Sequence, residues 1–418
     1  MVAILISLIS FVFLFKFSKL RTCNAALLHS GILLLLTITT NIYVTINASK
    51  NKNNWIMLKS PESAQEVTLL MSYYSIFFVI SYIILRRTFH HMNRRKNSCI
   101  QKATVINPTA VFLSFLIIYC ASFFFYRISP WAATYFSLIV DFATVSLIII
   151  ILLKFQFPII LIFLSLYIVS VFCMQLFLDG NVNRGGVFQL CIMIIFMASS
   201  IRKINFFTKG NLLILLLFTP LLMASVQVFE ALYTGSTLKK NDLLNYLLRG
   251  YELRPVENFI DIFMMLKEGE IAYWAGKSVY IALNEIFYPF SNEYLSATNW
   301  YQLLVNSRVG NPESASGYGF SVIADSYLNF GKTGILFAAI SIAILLCLIE
   351  ESYVAASYFV KLLGAKLFIL SYYVLRADLV YVTKTIWLNS LAILIYFVVY
   401  QMIRMLIRTN KRFKNQIY

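Results

Sequence analysis

A chain of 418 residues that is 60% hydrophobic and only 13% charged, with a mean hydropathy of +0.76, is too apolar for a soluble globular protein, whose apolar share is nearer half. Its formal charge of +17 is spread over short connections and the C-terminal tail instead of one patch with interleaved aromatics, which argues against nucleic acid as a partner. The class that fits is an all-α polytopic integral membrane protein whose basic residues are held on the cytoplasmic side.

The first apolar run, 2–15, has no basic residue before it and Lys16, Lys19 and Arg21 after it, which predicts a first span with the N-terminus outside instead of a cleaved signal peptide. The second, 25–46, leads out to a polar segment with Asn51, Asn53, Asn54 and Glu62. The third, 67–85, ends at the strongest inside signal in the chain: Arg86, Arg87, Arg94, Arg95, Lys96 and Lys102. Runs at 105–126 and 131–153 are joined by a tight outer turn with Arg127 and Pro130. A sixth run, 158–178, leads out to the segment DGNVNRGG, and a seventh, 187–200, returns to Arg202, Lys203 and Lys209. The eighth, 212–228, opens into a polar stretch, 231–330, after which come runs at 334–349, 367–382 and 386–403 and the basic tail Arg404, Arg408, Lys411, Arg412 and Lys414.

The inner connections so assigned hold most of the Lys and Arg outside the long stretch, which predicts about 11 transmembrane helices, within 10–12, ending in a cytoplasmic C-terminus. The chain then divides into 1–230 with eight membrane helices, the large loop 231–330, and 331–418 with three membrane helices and the tail. The loop holds seven Lys and Arg against ten Asp and Glu. Being net negative in a basic chain, it belongs on the side away from the cytoplasm.

Within the loop the pattern turns amphipathic. Asn241 can cap a helix over 242–249 that Gly250 stops, Pro255 can open one that runs to Lys267 before Gly269, and a third is predicted over 277–288, broken by Pro289. From 295 to 316 periodicity fades and Asn, Ser, Gly and Pro accumulate, which reads as loop. The six cysteines show no CxxC spacing and none lies in the loop, while His29, His90 and His91 give no HxxxH pattern. A disulfide framework, a metal centre and a metal cofactor are therefore not expected.

The most informative stretch is SRVGNPESASGYGFSVIADSYLNFGKTG, 307–334. Its glycines allow the backbone to approach a ligand or turn sharply, and Tyr318, Phe320, Tyr327 and Phe330 offer rings that stack on sugar faces. The same composition also serves a plain junction where chain re-enters a membrane, and composition alone leaves both readings open.

Arg308, followed after ten residues by Gly319, and the words GYGFSVIADSYLNFGKTGI resemble the large periplasmic loop and loop-to-helix junction of the O-antigen polymerases. These are membrane proteins that join lipid-linked oligosaccharide repeat units. The residue-level likeness covers roughly 30 positions, while hydropathy and loop position are similar along the whole chain. The resemblance implies an inverting glycosyltransferase with a scaffold like that of the GT-C enzymes. It would work at the periplasmic face of the bacterial inner membrane in lipopolysaccharide O-antigen biosynthesis, moving a glycan from undecaprenyl pyrophosphate to another lipid-linked unit. No nucleotide sugar and no metal are implied; membrane lipids and a chain-length regulator protein are partners it admits.

By the same resemblance Arg308 is a catalytic candidate, and Asp325 or Glu313 takes the proton from the acceptor hydroxyl, with Glu230 at the start of the loop as a further carboxylate. Gly319 and Tyr318 line the substrate, and Arg184, Arg249 and Arg254 help to hold the pyrophosphate, for which a planar guanidinium is suited. Arg184 can equally extend to lipid headgroups. Asp141, inside the fifth run, is either functional or paired with an arginine of another helix. Two rivals share the topology. A flippase for the same lipid-linked unit has short outer loops, against the long one here. An O-antigen ligase relies on a periplasmic histidine, and the three histidines of this chain lie elsewhere.

Overall fold

The computed structural model describes residues 2–17, 24–48, 60–96, 106–128, 130–153, 158–166, 184–202, 254–287, 295–309 and 319–417, with isolated positions between 155 and 214. Every regular element among them is a helix. In chain order these are α1 Val2–Phe17, α2 Ala25–Ala48, α3 Pro61–Lys96, α4 Pro108–Ile128, α5 Pro130–Leu152, α6 Arg184–Arg202, α7 Arg254–Lys267, α8 Lys277–Phe287, α9 Ala297–Val309, α10 Val322–Val354, α11 Tyr358–Leu367, α12 Leu370–Tyr373 and α13 Leu379–Ile417. Local chemistry fixes several of the starts. Helices α3, α4 and α5 each open on proline, whose missing N–H costs nothing in a first turn. Ser60 Oγ accepts from Ser63 N at 3.2 Å, and Asn107 Oδ1 from Thr109 N at 3.0 Å, as capping side chains do.

Four helices among the described residues are long and apolar enough to cross a membrane, over Ala25–Ile42, Pro61–Phe89, Val322–Val354 and Leu379–Thr409. Four shorter apolar helices, in α1, α4, α5 and α6, occupy runs that the hydropathy pattern assigned as spans. The protein is thus an all-α membrane protein. Apart from helical positions 213 and 214, the run at 212–228 lies outside the described residues, as does the helix expected at 242–249.

The chain forms two compact units. The first comprises Met1–Arg95, Phe207–Cys347 and Leu370–Lys384. In it α1 packs on α2, and α2 lies against α12. Buried His29 links them, with Nδ1 2.9 Å from the Ser371 carbonyl and Nε2 2.9 Å from the Tyr74 hydroxyl. The carbonyl can only accept, so Nδ1 carries the proton and Nε2 accepts from Tyr74. Helices α7, α8 and α9 belong to the same unit and lie beside the head of α10.

The second unit comprises Lys96–Phe206, Leu348–Ile369 and Thr385–Tyr418. Here α4 and α5 form a hairpin, and α6 packs on α5 and α11. Arg202 donates to the Leu152 and Leu153 carbonyls at 3.2 and 2.7 Å and to the Phe155 carbonyl. These carbonyls lie at the end of α5 and just past it, where in-helix donors run out. Asp141 in α5 pairs with Lys366 of α11 at 2.9 Å, so its partner is a lysine and not an arginine.

Two stretches depart from the sequence expectation. The apolar run at 367–382 is not one helix. It is the end of α11, the single turn α12, a non-helical turn over 374–378 and the start of α13. The charged pair Arg376 and Asp378 falls in the break, where backbone and side-chain bonds satisfy it. The stretch 295–316 is helical over Ala297–Val309. Ser296 caps it, with its Oγ 3.3 Å from Asn299 N, and Tyr301 holds it by donating to Asp261 Oδ2 at 2.8 Å. Tertiary contacts supply what its weak periodicity does not.

Candidate functional site

The residues Gly319 to Val322 run antiparallel to Val374–Arg376. Phe320 N donates to the Arg376 carbonyl at 3.1 Å and Val322 N to the Val374 carbonyl at 3.0 Å. Gly319 is wedged at the end of this pairing, where a Cβ would lie 3.2 Å from Pro255 Cγ and 3.4 Å from the Arg376 carbonyl oxygen. Its own carbonyl accepts from Asn258 Nδ2 of α7. A side chain here would be a tight fit, and the Pro255 ring would have to give by a few tenths of an ångström to admit it.

Three residues into α10, the chain meets a pair of buried carboxylates. Asp325 is fully buried. Its Oδ1 accepts from Ser278 Oγ at 2.5 Å and Asn329 Nδ2 at 2.9 Å, and its Oδ2 from Leu379 N at 2.8 Å. Asp378, 1% exposed, accepts from Tyr381 N at 2.8 Å through Oδ1 and from Thr298 N at 2.9 Å through Oδ2. The heads of α8, α9 and α13 therefore converge on two acids. Helix N-termini carry unpaired N–H groups and partial positive charge, and that is what makes two buried carboxylates tolerable side by side.

The Asn-Phe-Gly word completes the junction. Asn329 Oδ1 accepts from Ser278 N at 3.0 Å, which satisfies a donor at the start of α8. Gly331 takes φ 60°, ψ −141° and bends α10, with the Tyr273 ring 3.5 Å from where its Cβ would be. Past the bend, a Cβ on Gly334 would overlap the Ser326 carbonyl at 1.9 Å. Folding alone accounts for these residues.

The sequence-derived candidates are distributed as follows. Arg254 opens α7 immediately before Pro255, whose ring meets Gly319. Arg308 is in the last turn of α9, about 15 Å along the helix from the Thr298 end pinned to Asp378. Arg184 opens α6, in the other unit. Tyr318, Arg249, Glu313 and Glu230 lie outside the described residues. Asp325 is a brace as packed. Its complete burial keeps it from a sugar hydroxyl unless the packing around it opens. Among the described residues no group of three His, Cys, Asp or Glu side chains could hold a metal ion.

Sequence reasoning missed Arg376, Asp378 and Asn258. Arg376 is half-buried beside Gly319, its guanidinium 5.6 Å from the Tyr372 ring centroid and its Nη1 donating to the Tyr372 hydroxyl at 2.6 Å. Two opposite charges one residue apart inside an apolar run were the available signal that the run is broken.

The fold and this junction define an all-α membrane protein whose polar insert is locked to the heads of two membrane-spanning helices. No family model, curated protein or solved structure matches the chain.

Proposed function

We propose that the protein is a membrane glycosyltransferase that polymerises undecaprenyl-pyrophosphate-linked repeat units at the periplasmic face of the inner membrane, as O-antigen polymerases do. The observation that supports this reading most is that Gly319, at the head of a membrane-spanning helix, meets the Arg376 carbonyl and the ring of Pro255, the residue after Arg254. Arg376 thus adjoins the segment that follows Arg308, and Arg254 is one residue removed from that contact. Guanidinium groups at the membrane surface suit the pyrophosphate of a lipid-borne donor. In the reaction the bond from the sugar C1 to the pyrophosphate oxygen breaks as the acceptor hydroxyl attacks from the opposite face. The hydroxyl proton passes to a base, and the arginines stabilise the departing pyrophosphate. Asp325 serves beneath this site by fixing its backbone.

Arg308→Ala tests the proposal in cells that depend on this chain for polymer. Long-chain O antigen is expected to disappear while single-unit caps remain, with unchanged protein in the membrane. A normal ladder in that variant would overturn the reading.

A further inference from the structure

Helix α8 exposes an apolar face. A helix facing water buries apolar residues and exposes polar ones. Over Ser278 to Glu285 large apolar residues lie outward while two polar ones lie inward. Ser278 and Glu285 are buried, whereas Val279, Tyr280 and Leu283 face outward, the last two 58% and 52% exposed. The spacing of these three places them on one side of the helix, opposite Ser278, Ile281, Ala282 and Glu285.

What lies beside α8 fixes its surroundings. Ser278 is bonded to Asp325 and Asn329, in the first turns of α10. Ile281 and Ala282 pack on Val380, in the first turn of α13. Glu285 accepts from Lys384 Nζ at 2.7 Å, in the second turn of α13. Both neighbours are membrane-spanning helices, and Phe330, Leu336 and Phe337 of α10 present apolar side chains outward in the same unit. At the head of α8, Lys277 Nζ sits 4.9 Å from the Trp274 ring centroid, and Trp274 meets Trp300 at 5.0 Å. Tryptophan with a lysine is the pairing found at the polar boundary of a bilayer.

We propose that α8 is a membrane-embedded element of the insert. Its Val279, Tyr280 and Leu283 face contacts lipid acyl chains just below the headgroups, and its Glu285–Lys384 pair is sheltered on the protein side. This inference is independent of the proposed glycosyl transfer. It asks only that α10 and α13 cross a bilayer.

The test uses the full chain with its six cysteines replaced by serine, carrying a nitroxide on Leu283→Cys or, for comparison, on Glu268→Cys in the exposed turn after α7. Both are reconstituted into phosphatidylethanolamine and phosphatidylglycerol vesicles. The ratio of relaxation by oxygen to relaxation by a water-soluble nickel chelate is expected to be several-fold higher at 283 than at 268. An equal or lower ratio at 283 overturns the proposal. If the cysteine-free chain fails to fold, the unaltered chain in the same vesicles is labelled with a lipid-phase photoreactive carbene precursor and mapped by mass spectrometry. Label on the 278–287 peptide is expected. Its absence there, alongside label on α13, overturns the proposal.

Discussion

Asp325 and Asp378 sit among backbone N–H groups at the heads of helices, whereas Asp141 sits partway along α5 opposite a lysine. The first two are buried to within 1% of their surface; the Asp141 side chain is half exposed. An acid satisfied by helix heads is satisfied only if those helices begin where they do, so Asp325 and Asp378 specify architecture as well as charge. The Asp141–Lys366 pair requires only that two flexible side chains reach each other. The difference teaches that a buried carboxylate in a membrane protein need not mark a proton pathway. It can instead be the keystone of a chain reversal.

The comparison breaks most decisively at Asp378. Asp378→Ala strips the acceptor from the first turns of α9 and α13 together and is expected to cost about 3 kcal/mol, from two lost caps and buried donors. A fall in the thermal unfolding midpoint in detergent reads this, and an unchanged midpoint would remove Asp378 from the role assigned. Lys366→Met should be milder. It leaves Asp141 without its cation on an apolar helix, at about 2 kcal/mol, and Asp141→Asn in the same chain should recover most of that. If the second substitution adds to the loss, pairing is not what Lys366 contributes. At the lower end stands Lys267, 2.9 Å from Glu66 with both side chains half exposed. Lys267→Met should change stability by less than about 0.5 kcal/mol, and a larger drop in the same assay would mean that water screens the pair less than its exposure indicates.

Hydropathy made the all-α membrane class legible, because runs of bilayer length cannot be anything else in so apolar a chain. Punctuation made α7 and α8 legible: Pro255 sits in the first turn of the first, Gly269 with φ 75° closes off its end, and the second ends before Pro289. What stayed hidden depends on partners far along the chain. Helix α9 owes its place to Asp378 and Asp261, and no local pattern announces either. The break at 374–378 was concealed because Val374, Leu375 and Ala377 keep the window apolar while the two charges find partners in backbone and tyrosine. Around the candidate site, Gly319 and the Asn-Phe-Gly word stood out in the sequence. That much of their distinctiveness serves packing became clear only from Pro255, Ser278 and Tyr273.

Gly331 divides α10 into a short bracket, 322–330, and a long shaft, with no slack chain between the two. The bracket is bonded to α8, α13 and the turn at 374–376. Any load applied to α8 is therefore carried straight to the helix that crosses the bilayer. A tethered domain on a floppy linker could move while its anchor stayed still. Here α8 and the shaft are joined through the bracket as one mechanical part.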